Sequence, residues 1–233
     1  MNDRRWQGLL ESSRLESLLR AGLLGGTFDP VHNGHLEVAQ TALRMAHLDA
    51  VYFVTSSDPP HKNKKTLANF LDRHAMVALA LTCQPQLIPS SIEFERPGKS
   101  YSVDTVRQLK QCLGNSTKIF FLIGMDAFQD ITSWKEYTVI PELCSFLIFA
   151  RPGFATQDRV DKLPKVFLDK MFPVVRESDF PETQENGCYL LEEFSNQISS
   201  TQIRNQVRLG GSISEWVPAS VAEYIYKTKL YLD

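Results

Sequence analysis

No apolar run in this 233-residue chain approaches the ~18 residues that a membrane-spanning helix needs, so no membrane partner is expected. The amino-terminal stretch MNDRRWQGLLESSRLESLLRAG lacks an uninterrupted apolar region and mixes acids with its bases, which fits neither a secretory signal nor a transit peptide. Cysteine is scarce. Cys83, Cys112, Cys144 and Cys188 are far apart and form no C-x-x-C pair, which argues against a zinc site and a disulfide scaffold. Three of the four fall in apolar stretches, as buried free thiols do, and a reduced, cytoplasmic setting is expected. An excess of charge is missing too: 25 Lys and Arg against 27 Asp and Glu leave a formal charge of −2. Nothing global suits a polyanion, so no nucleic-acid partner is expected, while a pocket for a small phosphorylated ligand stays compatible. The phosphate loops G-x-x-x-x-G-K-[ST] and G-x-G-x-x-G are both absent.

What the chain does have is 43% apolar residues, enough for a substantial core. Trp6, Leu9, Leu10, Leu15, Leu18 and Leu19 predict a short amphipathic helix in an extension over residues 1–20, packed on a single domain spanning 21–233. Apolar runs and helical spacings then alternate. LLGG (23–26) and VYFVT (51–55) read as strands, as do LIPSSIEFE (87–95, interrupted by Pro89), KIFFLIG (118–124) and SFLIFA (145–150). Helical spacing occupies 33–47, 69–82 with Asn69 as cap, and 102–113. The two tail segments SSTQIRNQVRLGG and VPASVAEYIYKTKLY also read as helices. Residues 153–187 have the weakest pattern and read as a partly helical excursion. This order predicts an α/β fold: a doubly wound, Rossmann-like parallel sheet with helices on both faces and a C-terminal helical segment. Ligands on such sheets bind at the carboxyl ends of the strands.

The first strand ends in GGTFDPVHNGH (25–35). Gly25 and Gly26 predict a sharp turn where backbone N–H groups meet a ligand with no Cβ in the way. A helix beginning near Asn33 aims its positive end at the same place, which favours phosphate. His32 and His35, three residues apart, can face one side and, if protonated, each donate two N–H bonds to phosphate oxygens. A metal pair is the rival reading, but no third ligand with suitable spacing accompanies them.

GGTFDPVHNGH resembles the T/H-x-G-H nucleotidyltransferase superfamily, which includes the bacterial nicotinate-nucleotide adenylyltransferases. ISSTQIR (198–204) is similar to the superfamily's second signature, I-S-S-T-x-x-R. PPHK (59–62), ERPGKSYSVDTV (95–106), IGMDAF (123–128), SWKEY (133–137) and ARPG (150–153) resemble the nicotinate-nucleotide members in particular. Departures are Thr55, where many members have Pro, and Lys135, where many have a second aromatic after the Trp.

The resemblance implies adenylyl transfer from ATP, accompanied by Mg²⁺, to nicotinate mononucleotide, in NAD biosynthesis. It casts His32, His35 and Arg204 as catalytic. It puts Gly25, Gly26, Thr27, Phe28, Lys62, Gly124, Asp126, Ser199, Ser200 and Thr201 around ATP, and Ser102, Trp134 and Arg151 around the mononucleotide. Read from the residues alone, Trp134 is as well explained as a packing anchor, Asp126 and the Ser-Ser-Thr run as helix caps, and Lys62 as a solvated loop residue. Two alternatives stay open: another adenylyl- or cytidylyltransferase such as the phosphopantetheine enzyme, and a non-catalytic nucleotide sensor. Acid or amide at the pyridine ring, and the existence of a homo-oligomer, are not fixed by these residues.

Overall fold

β-branched and aromatic runs become the strands of one sheet. In the computed structural model, residues 19–58, 67–150, 160–174, 177–181, 185–191 and 198–232 are described; the extension at 1–18, the PPHK segment with Lys62, and Arg151 lie outside them. The strands are β1 (Arg20–Gly26), β2 (Ala50–Thr55), β3 (Leu87–Ser90), β4 (Lys118–Gly124), β5 (Ser145–Phe149), β6 (Met171–Val174) and β7 (Cys188–Leu191). They form a seven-stranded sheet in the order β3-β2-β1-β4-β5-β7-β6, with every pairing parallel. Helices α1 (Asn33–Met45), α2 (Phe70–Ala80), α3 (Ser102–Leu113), α4 (Met125–Gln129), α5 (Ile140–Leu143), α6 (Lys165–Leu168), α7 (Ser200–Arg208) and α8 (Ala219–Thr228) cover it.

Strand side chains alternate between two apolar layers, as the two-residue pleat dictates. Leu24, Phe53, Phe120, Leu122 and Leu147 pack with α1, α2, α7 and α8 on one face. Leu23, Val54, Phe121, Ile123 and Phe146 pack with α3, α4, α5 and α6 on the other. Asn69 caps α2, its side chain accepting the Asp72 N–H. Pro89 sits in β3, an outer strand of the sheet, where a missing N–H can be tolerated.

Several expectations are corrected. Arg20 is already the first residue of β1, so the sheet begins inside the segment read as extension. Only the start of LIPSSIEFE is strand, and Ile92–Gly98 is turn and bend. The region read as a partly helical excursion contains β6, which with β7 widens the sheet beyond the five strands read from sequence. Two thiols are buried, Cys144 and Cys188, whereas Cys83 and Cys112 are exposed.

Candidate active site

The strand order reverses between β1 and β4, which both continue from the middle of the sheet in opposite directions. A crevice opens at the carboxyl ends of strands at such a point. Here it is a cavity of about 530 Å³, lined from β1 by Leu24, Gly25, Gly26 and Thr27, and from β4 and α4 by Phe121–Ala127. Gly25 and Gly26 are the last two residues of β1, in register with Val54 and Thr55, so the expected turn does not fall on them. The chain reverses just after, at Phe28 with φ 51° and the cis peptide Asp29–Pro30. Gly26 is needed for that reversal: a Cβ there would come within 2.8 Å of the Phe28 ring. Phe28 itself is buried beneath the site, packed edge-on against His35 at 5.0 Å, and does not line the cavity.

His32 caps α1 and His35 follows in its first turn, with ring centroids 3.8 Å apart. The His32 N–H donates to His35 Nδ1 at 3.2 Å. A neutral imidazole that accepts at Nδ1 carries its proton on Nε2, so His35 is set up as a one-proton donor. His32 is 7% exposed, and burial pulls its pKa from 6.5 to about 4, so the ring is neutral at pH 7. His32 Nδ1 is buried and has no hydrogen-bond partner.

The second signature folds against the first. Ser200 Oγ donates to the Pro30 carbonyl at 2.9 Å, and Arg204 donates to the Asp29 carbonyl at 2.7 Å. Arg204 also reaches Thr201 Oγ1 at 3.3 Å and lies 3.6 Å from Asp29 Oδ2. Ser199 is occupied as the cap of α7, exchanging hydrogen bonds with Gln202. Asp29, 1% exposed, is the centre of this junction: its Oδ1 accepts from Tyr231 Oη at 2.8 Å and from the Ala68 N–H at 3.2 Å. Arg73, also buried, donates to the carbonyls of Thr27, Ser56 and Ala68 and so fixes the loops after β1 and β2. Sequence reading missed Tyr231 and Arg73. Arg73 stands between Asp72 and His74 in the sequence, where a charged residue reads as surface, so no local signal marks it.

The same cavity is lined by Ser100, Tyr101, Ser102, Trp134 and Lys135. Trp134 packs edge-on against Phe121 at 5.5 Å. Lys135 pairs with Asp104 at 2.9 Å and stands 5.0 Å over the Tyr101 ring, a cation where the resemblance leads one to expect an aromatic. Thr55, the other departure, lies 3.2 Å from His74 Nδ1. Gly25, Gly26, Thr27, His35, Ser102, Gly124, Asp126 and Trp134 thus share one cavity. His32 touches it through His35, and Ser200 and Arg204 brace the turn at its rim.

Residues 23–206 match the cytidylyltransferase-like family. Over 215 residues the chain is 36% identical to a protein of Citrifermentans bemidjiense named "probable nicotinate-nucleotide adenylyltransferase", covering 92% of this chain and 99% of that one. A protein of the same name from Geotalea daltonii is 38% identical over 216 residues, with the same coverage. The chain belongs to the nicotinate-nucleotide adenylyltransferase family. Among solved structures, Plasmodium falciparum nicotinic acid mononucleotide adenylyltransferase complexed with NaAD matches with a TM-score of 0.69 at 20% identity. That match covers 91% of this chain and 97% of the other, and at that identity it speaks for the fold. Within this nicotinate-nucleotide adenylyltransferase relative, the loop after β1 and the start of α7 are one structural unit, although 170 residues separate Pro30 from Ser200.

Proposed function

We propose that the chain transfers the adenylyl group of ATP to nicotinate mononucleotide, forming nicotinate adenine dinucleotide and releasing pyrophosphate. The observation that carries this reading is the junction at Asp29–Pro30, where the two signature segments meet beside a cavity that also holds Trp134. The names of the relatives point the same way. A phosphate oxygen of the mononucleotide attacks the α-phosphorus of ATP, the bond from that phosphorus to the bridging oxygen breaks, and pyrophosphate departs. No side-chain nucleophile is needed, because the attacking oxygen is already anionic. The residues act by positioning and by meeting charge that grows on the leaving phosphates.

Gly25, Gly26 and Thr27 admit the triphosphate at the end of β1. His35 donates from Nε2 to the phosphate oxygens, and His32 gains a second N–H donor as the ligand's negative charge draws a proton onto it. Arg204 holds the leaving phosphates from the rim, with Lys62, Ser199, Ser200 and Thr201 assigned beside it. Gly124 and Asp126 meet the adenosine. Ser102, Trp134 and Arg151 hold the mononucleotide. Phe28 supports His35 from below. The groups assigned to the phosphates are cations and hydroxyls, a set that fits phosphate oxygens and not a divalent cation, so Mg²⁺ enters as part of the ATP complex. No helix among the described residues is long and apolar enough to cross a membrane. Two exposed free thiols, Cys83 and Cys112, support a reducing, cytoplasmic home.

A pyrophosphate-release assay with ATP and Mg²⁺ tests this, run with nicotinate mononucleotide and with nicotinamide mononucleotide. Release with the acid supports the proposal. Release only with a different acceptor, such as phosphopantetheine, replaces it with the nearest alternative, and nucleotide binding without any release makes the protein a sensor.

A further inference from the structure

We infer that Glu93 and Ser100 form a subsite for the ribose hydroxyls of the mononucleotide, an assignment resting on the reaction proposed above. Both residues line the cavity, on the segment between β3 and α3, and each is only 8% exposed. Glu93 Oε2 and Ser100 Oγ are buried with no hydrogen-bond partner. Buried polar atoms are nearly always satisfied, so two orphans on residues that line one cavity call for a ligand that bonds to them. The rest of the carboxylate is already fixed. Thr105 Oγ1 donates to Glu93 Oε1 at 2.7 Å, and Arg96 braces Thr105 at 3.2 Å and Gln108 at 2.9 Å. Oε1 is therefore held in place, and Oε2 is the oxygen left to take a further partner.

An ionised carboxylate accepts hydrogen bonds and donates none. It repels the phosphate and the ring carboxylate of nicotinate mononucleotide, which are acceptors as well. The donors that this molecule carries are its ribose hydroxyls, and a vicinal diol suits one acceptor-only oxygen beside one hydroxyl that can both donate and accept. Trp134 and Ser102, assigned above to the mononucleotide, line the same cavity.

The test is calorimetric titration of nicotinate mononucleotide and its 2′-deoxy and 3′-deoxy forms into the wild-type chain and into Glu93→Ala, Glu93→Gln and Ser100→Ala. In the wild type, removing the hydroxyl that meets Glu93 should weaken binding about 10- to 100-fold, the range for a bond to a charged group. Glu93→Ala should weaken the ribo compound by a similar factor and bind it and that deoxy form alike. Glu93→Gln keeps the volume and the bond from Thr105, guards against a folding defect, and should also lose most of the discrimination. A wild type indifferent to both deoxy forms overturns the inference, whatever the variants do. So does a Glu93→Ala variant that binds all ligands more weakly with the discrimination intact, which is the mark of a structural role. Selective loss of nicotinamide mononucleotide binding in that variant would move Glu93 to the ring amide and equally overturn it. Pyrophosphate release, followed in parallel, separates the two proposals: binding with hydroxyl discrimination but no release sinks the reaction alone, and release without discrimination sinks the subsite alone.

Discussion

Ser200 Oγ and the Pro30 carbonyl are 2.9 Å apart, joining the start of α7 to the loop that follows β1. One turn further along α7, Arg204 grips the Asp29 carbonyl. The two contacts make this junction a composite of the chain's first and last thirds. The clamp lies close to His35 along the chain, since α1 begins three residues after Pro30.

His35→Ala should lower turnover by ~100-fold or more, the usual loss for one preorganised donor, while mononucleotide affinity stays close to wild type. Steady-state kinetics with a separate binding titration distinguishes the two effects. Near-normal turnover would remove His35 from the reaction.

His32 gives the fold a pH dependence of definite sign. Its pKa is about 4 when folded and 6.5 in an ordinary setting, so below pH 6.5 the unfolded chain takes up the proton first. Stability from the neutral ring is complete above pH 6.5 and drains away as pH falls toward 4, amounting to ~3 kcal/mol. Urea unfolding between pH 7.5 and 4.5 should show wild type losing more stability than His32→Asn. Parallel pH curves for the two proteins would contradict the burial argument. Calorimetry of ATP binding in buffers of differing ionisation enthalpy should further show proton uptake near pH 6, absent in the variant.

Gly124→Ala separates fold from site. A Cβ at Gly124 meets nothing within 4 Å, and its φ of −73° suits alanine, so thermal stability should barely change. The added methyl stands in the cavity, and the Michaelis constant for ATP should rise at least several-fold. An unaltered ATP constant would take Gly124 out of the adenosine site.

Trp134→Ala should raise the Michaelis constant for the pyridine mononucleotide and leave that for ATP nearly unchanged. A defect confined to ATP would put the indole on the wrong side of the cavity. Lys135→Tyr, restoring the aromatic expected there, tests whether the pairing of Lys135 with Asp104 bears on the same constant.

Thiol labelling checks the packing. Cys83 and Cys112 should react with a thiol probe in the native protein, whereas Cys144 and Cys188 should stay silent until denaturant is added. Burial pushes the Cys188 thiol up to about 12 and that of Cys144 higher still, which suppresses the reactive thiolate. Four fast thiols would mean an open β5–β7 region.

Much of this architecture is legible in the residues. KIFFLIG and SVDTVRQLKQCL coincide with β4 and α3, because a covered parallel strand and an amphipathic helix each write a strong local pattern. MFPV does not read as a strand: it is short, carries a proline, and is held by pairing with CYLL, which no local window contains. Gly25-Gly26 read as a turn because glycine's backbone is free to reverse, yet pairing with Val54 and Thr55 of β2 keeps the end of β1 extended. The site splits along the same line. His32, His35 and Arg204 stand in recognisable strings, whereas Arg73, Glu93 and Tyr231 matter only through partners distant in sequence, and nothing beside them in the chain marks that role.

Tyr231 reaches back across 202 positions to Asp29, so a residue beyond α8 is tied to the loop that follows β1. Tyr231→Phe would untie this latch with every signature residue in place, so an intact set of motifs does not guarantee an intact loop.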